Sequence, residues 1–345
     1  MAKDGIIVYF CGMQLEYSFI IPVYNRPQEI QELLESFLLL SFPSSFEIVI
    51  VEDGSSETSK NIVHSFSNKL NLSYYIKENT GPGDSRNFGM KKAKGNYFII
   101  LDSDCLMPPH YLQTVDRFLH STYFDCYGGA DAAHTSFTRL QKAINYVMTS
   151  FLTTGGIRGN INSVTKFEPR SFNMGISKKA FEATGGFSKI HPGEDPDLSQ
   201  RILKAELKTT FIPDASVFHK RRISWKKFYT QVKKFGTVRP ILNSWHPGSS
   251  KITFWFPTLF VCFVITSILL SFFLHRMAIL PLVVYLALVF IDASVRNKSI
   301  LIGVLSILAL FVQFFGYGLA FLKSTFYIQI LKKDPLKQYP YLFFK

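Results

Sequence analysis

Tyr97-Phe98-Ile99-Ile100-Leu101-Asp102-Ser103-Asp104 decides how this chain reads. Tyr97 to Leu101 is continuously apolar and bounded by turn residues, the pattern of a buried strand in a parallel sheet. Asp102 and Asp104 follow where that strand runs out, and side chains at this spacing in a strand point the same way. Two like charges held close repel unless a cation lies between them, and hard divalent cations take oxygen ligands. In open parallel α/β sheets, ligands bind at the carboxyl ends of the strands. The stretch therefore reads as a site for a divalent metal and a diphosphate. The plain alternative is an acidic turn capping a helix that begins near Pro108.

Upstream, apolar runs alternate with helical patterns. Strands are expected at Phe19–Val23, Phe46–Val51 and Leu72–Ile76, with helices at Glu29–Leu40, Glu57–Leu70 and Gly83–Lys94. This alternation argues for an α/β fold with a mostly parallel sheet and flanking crossover helices. Downstream the pattern loosens. Short strands are expected at Asp125–Gly129, Ser171–Ile176 and Lys208–Ile212, and helices at Arg139–Thr154 and Asp195–Lys204.

The bulk properties point to a membrane. The 345 residues carry a formal charge of +13, yet 47% are hydrophobic and 34 are Phe. Basic residues concentrate between Lys220 and Lys251, just before the most apolar part of the chain. That placement favours an anionic membrane surface over nucleic acid as partner. Trp225 to Trp245 sets apolar residues 225, 228, 229, 232 and 235 at helical spacing among Lys226, Lys227, Lys233, Lys234 and Arg239. It reads as a helix lying in the membrane interface or, alternatively, packed on a protein core. Ile252–Leu274 and Ser299–Leu322 are uncharged over 23 and 24 residues, enough to span the hydrocarbon. Met277–Val295 is shorter, carries Asp292, and reads as a span or a re-entrant helix. Three spans would set the basic tail opposite the α/β domain; two would set it on the same side. Four cysteines without CxxC spacing suggest a reducing compartment and no zinc site.

The expected organisation is an extension at 1–15, an α/β domain at 16–222, a basic interfacial segment at 223–250, two to three spans within 251–323, and a basic tail at 324–345. The location expected is the cytoplasmic membrane, multi-pass, with the α/β domain cytoplasmic.

Four segments carry a resemblance: Phe19-Ile20-Ile21-Pro22-Val23-Tyr24-Asn25-Arg26, Val51-Glu52-Asp53-Gly54-Ser55, Asp102-Ser103-Asp104, and Gly193-Glu194-Asp195-Pro196-Asp197-Leu198. In this order they resemble the motifs of family 2 glycosyltransferases, which have the GT-A (Rossmann-like) fold. The likeness covers residues 16 to about 220, and the Phe- and Lys-rich composition suggests a membrane-anchored bacterial type. It implies inverting transfer of a sugar from a nucleotide-sugar, with Mn2+ or Mg2+. Asp104 is then the direct metal ligand, with Asp102 acting through water or the ribose. His219, at the end of a late strand, is a further ligand on the same resemblance or a surface histidine in a basic segment. Asp195 is implied as the base that deprotonates the acceptor hydroxyl, with Glu194 contacting the acceptor.

The residues themselves support donor contacts. A leaving diphosphate gains negative charge that a bridging cation stabilises. Asp53 ends a strand beside Gly54, where it accepts from a base or ribose or else caps the next helix. Pro22, Tyr24, Asn25 and Ser103 flank the same expected donor site. Asn79 to Asn87 is a Gly/Pro loop whose amides, with Arg86, suit a phosphate, or form a plain turn. Asp197 is expected to pair with Arg201. Phe172-Asn173-Met174-Gly175 resembles the acceptor-side segment under the donor sugar.

The expected function is transfer of a single sugar, with a UDP-sugar as first expected donor, to a lipid-linked (polyprenyl) or glycan acceptor in cell-surface glycan synthesis. The alternatives are a processive polysaccharide synthase and a non-catalytic nucleotide-binding membrane scaffold. Gln231 is not followed by an Arg-Trp pair, which departs from processive synthases.

Overall fold

The computed structural model describes residues 14–132, 137–154, 168–219 and 224–344. The described residues group into two compact units. The first lies within Met1–Ala132, Thr165–Gly186 and Ile202–Phe218, the second within Ala133–Val164, Phe187–Arg201 and His219–Lys345. The expected domain at 16–222 thus contributes residues to both.

The first unit opens with β1 (Tyr17–Val23), α1 (Pro27–Phe37), β2 (Glu47–Asp53), α2 (Lys60–Phe66), β3 (Leu72–Lys77), α3 (Pro82–Lys92) and β4 (Tyr97–Leu101). β5 (Cys105–Leu106), α4 (Tyr111–Ser121) and β6 (Cys126–Ala132) follow. In the second unit come α5 (Arg139–Thr149) and α6 (Phe151–Thr154). The chain then adds β7 (Asn173–Ser177), α7 (Lys178–Thr184), α8 (Glu194–Lys204) and β8 (Thr209–His219). The eight strands form one sheet in the order β3-β2-β1-β4-β7-β6-β8-β5. Pairings of β1 with β2 and β4, and of β2 with β3, are parallel, as the apolar runs predict. β7 is antiparallel to both β4 and β6, so the sheet is mixed. Phe19, Ile21, Ile48, Ile50, Ile99 and Leu101 fill one core face, against Ile30, Leu33 and Phe37 of α1.

Boundaries differ where a polar residue ends a run. α2 is shorter than the expected Glu57–Leu70, and the expected helix Arg139–Thr154 breaks at Ser150, whose backbone is extended (ψ 143°). β8 continues through Pro213 and Asp214 to His219.

The second unit adds α9 (Trp225–Trp245), α10 (Phe256–Phe273), α11 (Leu280–Asn297), α12 (Ile300–Thr325) and α13 (Pro335–Gln338). Among the described residues, three segments are long and apolar enough to cross a membrane: Ile252–Phe273, Arg276–Asn297 and Ile300–Ile330. The third runs past Lys323, through a π-helical turn over Phe326–Ile330. Asp292, the one acid in these segments, accepts from Tyr146 Oη at 2.7 Å and Arg296 Nε at 2.8 Å. A carboxylate in an apolar helix needs such partners.

Two residues of the apolar stripe of α9, Phe228 and Val232, are buried by protein, while Tyr229 is exposed. Phe228 and Val232 join a cluster with Phe260, Leu310 and Phe314. Gly236 lies so close to the Tyr317 carbonyl that a Cβ there would collide with it. Phe228 and Val232 are thus taken up by packing, as in the alternative of a helix on a protein core, since burial against apolar side chains satisfies the same hydrophobic drive as lipid. The basic tail packs as well. Ile328, Tyr339 and Leu342 pack with Ile190, Val238, Ile241 and Leu242, and Phe343 bridges to Ile190.

Candidate active site

Three parallel strands bring the expected donor residues to one rim of the first unit. β1 ends before Tyr24-Asn25-Arg26, β2 ends on Asp53, and β4 ends before Asp102-Ser103-Asp104. Because β1 pairs in parallel with both neighbours, these are all carboxyl ends.

Both acids of the Asp-Ser-Asp turn are held by arginines. Arg26 Nη1 donates to Asp104 Oδ2 at 2.6 Å, and Arg86 Nη2, from α3, donates to Asp102 Oδ1 at 2.8 Å. Ser103 between them is buried. Burial alone would lower the Arg26 guanidinium, but the Asp104 carboxylate outweighs it and raises it.

Asp53 is 4% exposed and its oxygens serve the protein. Oδ1 accepts from Lys77 Nζ at 2.6 Å and Thr80 N–H at 3.0 Å; Oδ2 accepts from Gly81 N–H at 3.0 Å. The two loop amides before α3, expected to face a phosphate, are thus turned to Asp53. It holds the approach to α3 rather than capping α2. Gly81, at φ +94°, needs the left-handed region that glycine enters without a Cβ penalty. Gly54 is similarly required: at φ +69°, a Cβ would lie 2.7 Å from the Asn79 nitrogen.

Asn25 also works on the loop after β2. Its Oδ1 accepts from Ser56 Oγ and Glu57 N–H, each at 3.0 Å. Tyr24 is exposed, and Pro22 is half-buried within β1. Glu52, fully buried, accepts from Ser59 N–H and Tyr74 Oη, both at 2.8 Å. Asn173 is structural: it accepts from Tyr111 Oη at 2.6 Å and donates to the carbonyls of Ala215 at 2.8 Å and Ala130 at 3.2 Å. The segment resembling an acceptor platform therefore ties β7 to β6 and β8.

Lys77 and Arg26 escaped the sequence reading as functional groups. The signal for Lys77 was a cation at the carboxyl end of an apolar strand, facing a Gly/Pro loop. Arg26 stood inside a quoted motif without a role.

Glu194 and Asp195 begin α8 in the second unit. Glu194 Oε1 lies 2.9 Å from His191 Nδ1. The expected Asp197–Arg201 pair forms at 2.7 Å, and His246 Nε2 adds a bond to Asp197 Oδ1 at 2.8 Å. Burial would raise the Asp197 carboxyl, but Arg201 and His246 hold it below its ordinary value. His219 ends β8, but its side chain lies outside the described residues.

Among the described residues no three His, Cys, Asp or Glu side chains gather to hold a metal. Asp102 and Asp104 alone offer a two-carboxylate, all-oxygen donor set. That suits a hard cation whose remaining ligands are water and phosphate oxygens, as Mg2+ commonly takes them. The donor set fits, at the cost of releasing Arg26 and Arg86.

A parallel α/β rim with two acids, each held by an arginine from a different element, defines a domain suited to an anionic cofactor or substrate. Residues 18–184, just under half of the chain, match the family model described as Glycosyl transferase family 2. It is 35% identical over 114 residues to poly(ribitol-phosphate) beta-N-acetylglucosaminyltransferase TarS of Staphylococcus aureus strain Mu50, covering 32% of this chain and 20% of that protein. It is 26% identical over 221 residues to glycosyltransferase AglE of Haloferax volcanii, covering 59% and 67%. The chain spans about a fifth of the length of the first curated relatives it matches, 20% in each of two cases. The solved mannosyltransferase PcManGT of Pyrobaculum calidifontis, in complex with GDP-Man and Mn2+, matches with a TM-score of 0.57 at 15% identity, over 93% of this chain and 88% of that one. At that identity the likeness is one of fold, and the fold is GT-A.

Proposed function

We propose that this chain is an inverting glycosyltransferase that moves one sugar from a nucleotide-sugar to a membrane-associated acceptor. One observation carries the reading. Asp102 and Asp104, at the end of β4, lie among Arg26 and Arg86 on the rim where β1 and β2 also end. Such a mixed constellation suits a diphosphate: guanidinium groups bind its oxygens in bidentate fashion, and carboxylates hold its counter-cation.

Asp102 and Asp104 are the residues that would hold a divalent cation, which supplies positive charge to the leaving diphosphate when bound. Arg86 and Arg26, freed from the carboxylates, would bind phosphate oxygens. Tyr24 offers an exposed ring for the base. A nucleotide contact at Asp53 would share oxygens already bonded to Lys77, Thr80 and Gly81. In the transfer, an acceptor hydroxyl oxygen forms the bond to the anomeric carbon as the bond to the diphosphate oxygen breaks. The hydroxyl proton goes to the Asp195 carboxylate, and the nucleoside diphosphate leaves. Glu194 orients the acceptor.

Apolar helices favour an acceptor carried by lipid, because anchoring both partners in one bilayer raises their effective concentration. A UDP-sugar is the first donor to try. The test is incubation of the purified full chain with radiolabelled nucleotide-sugars and a bacterial lipid extract. Label moving into the organic phase as one added sugar, of inverted anomeric configuration, supports the proposal. A ladder of products would replace it with a processive synthase, and no transfer with any donor would favour a nucleotide-binding scaffold.

A further inference from the structure

The three apolar helices do not contribute equally to crossing the bilayer. We propose that α11 and α12 cross it as a hairpin, while α10 enters one leaflet and returns to the side it left. This goes beyond the catalytic reading and does not depend on it.

The first observation concerns the ends of the membrane region. Ile241 and Leu242 of α9 precede all three apolar helices; Ile328, Tyr339 and Leu342 follow all three. They share one cluster, and Trp245 faces Phe343 with ring centroids 6.2 Å apart. Backbone bonds join the tail to the segment before α8: His191 N–H to the Leu342 carbonyl at 2.7 Å, and Phe344 N–H to the Lys189 carbonyl at 3.0 Å. α9 carries exposed Lys226, Lys227 and Lys233, and the tail carries exposed Lys332, Lys333 and Lys337. The tail's lysines flank the cluster residues Ile328 and Tyr339 in sequence and keep the cluster out of hydrocarbon. A chain that leaves and rejoins one cluster on one side of a bilayer crosses it an even number of times. Three complete crossings are excluded by that parity.

The second observation identifies the helix that does not cross. α11 and α12 form a tight antiparallel pair. Ser299 N–H bonds the Ser294 carbonyl at 3.0 Å, and a Cβ on Gly303 would lie 3.0 Å from the Phe290 ring. Counting back from this turn, Tyr285 comes level with Phe311. Phe260 of α10 confirms that level, with ring centroids 5.7 Å from Tyr285, 5.9 Å from Phe311 and 4.8 Å from Phe314. α10 starts just above: Thr258 Oγ1 donates to the Gly318 carbonyl at 3.0 Å, and Trp255 lies 5.0 Å from Phe321. So α10 and α11 begin at about the same level of α12.

Length then decides. α10 has 18 residues, or roughly 27 Å of rise. Were it to cross, the six residues between Phe273 and Leu280 would have to recover that distance. Four of them, Arg276–Ile279, are a 3-10 turn. With two extended residues the connection reaches roughly 15 Å at most. α10 must therefore run obliquely within one leaflet. Its exposed face, Leu259, Ile265, Ile268, Leu269 and Phe272, carries no charge and fits acyl chains.

The test is labelling of single cysteines by a membrane-impermeant maleimide, in right-side-out and inside-out vesicles holding the full chain. Cys11 and Cys262 are replaced by Ser, and cysteines are placed at Lys189, Arg276, Lys298 and Lys337. The expected result is that 189, 276 and 337 label from one face and 298 from the other. Labelling of 276 from the face opposite 189 would overturn the proposal, because α10 would then cross. Labelling of all four from one face would overturn it too, because no helix would cross. Sandwich fusions of alkaline phosphatase at 276, 298 and 337 read the same sides without relying on a folded cysteine variant: only the fusion at 298 is expected to differ from the others.

Discussion

Arg26 donates to Asp104 at 2.6 Å, from the loop after β1 to the turn after β4. The pair occupies the carboxylate that the Asp-Ser-Asp motif would offer to a cation. Guanidinium and metal compete for the same oxygens. Arg26→Gln should therefore tighten Mn2+ binding by the free protein two- to ten-fold, on the order of 0.4–1.4 kcal/mol by RT ln of that ratio. Electron paramagnetic resonance titration of Mn2+ without nucleotide checks this. The side chain of Arg26 is 47% exposed, so stability should change by less than about 1 kcal/mol.

Arg86 is a different case. It is 4% exposed, and it faces an Asp102 whose side chain is 31% exposed. Arg86→Ala should cost about 1–3 kcal/mol of stability, less than a fully buried pair because water reaches Asp102. Arg86→Lys should restore part of that stability but little nucleotide affinity, since an ammonium lacks the planar fork. Urea unfolding and nucleotide titration read the two effects separately.

Asn173 is fully buried and bonds Tyr111, Ala215 and Ala130 at once. Asn173→Leu removes all three bonds and leaves their partners dry. A loss of about 2–4 kcal/mol is expected by thermal or urea unfolding.

Asp197 gives the pH dependence. Its folded value is below the ordinary 3.8. A carboxyl depressed on folding contributes stability that is fully present above its unfolded value. That contribution is lost as pH falls through the lower folded value. Wild-type protein should thus weaken as pH falls below about 4, and Asp197→Asn should be less stable at neutral pH but lose less between pH 5 and 3 (the window of about one unit either side). Unfolding midpoints across that range test the sign.

Much of the rim was legible because its strands are short uninterrupted apolar runs, and each ends on an acid or a polar turn. β1, β2 and β4 need no partner information to be recognised. β7 was visible as a strand but not as antiparallel, because direction is set by a connection through loosely patterned chain. Asp53 carries no mark in sequence that Lys77 and two loop amides will claim its oxygens; those partners come from β3 and the approach to α3. The stripe on α9 is equally suited to lipid and to α12, and apolar periodicity cannot distinguish the two. His246 reaches Asp197 from the end of a helix 49 positions away, a contact made by packing alone.

The most direct measurement is calorimetric titration of uridine diphosphate into the full chain with Mn2+, repeated with chelator, for wild type, Asp104→Asn and Asp195→Asn. Binding that requires Mn2+, drops at least about ten-fold (1.4 kcal/mol) in Asp104→Asn, and survives in an inactive Asp195→Asn is the predicted result. Affinity unchanged by chelator and by Asp104→Asn would contradict the account.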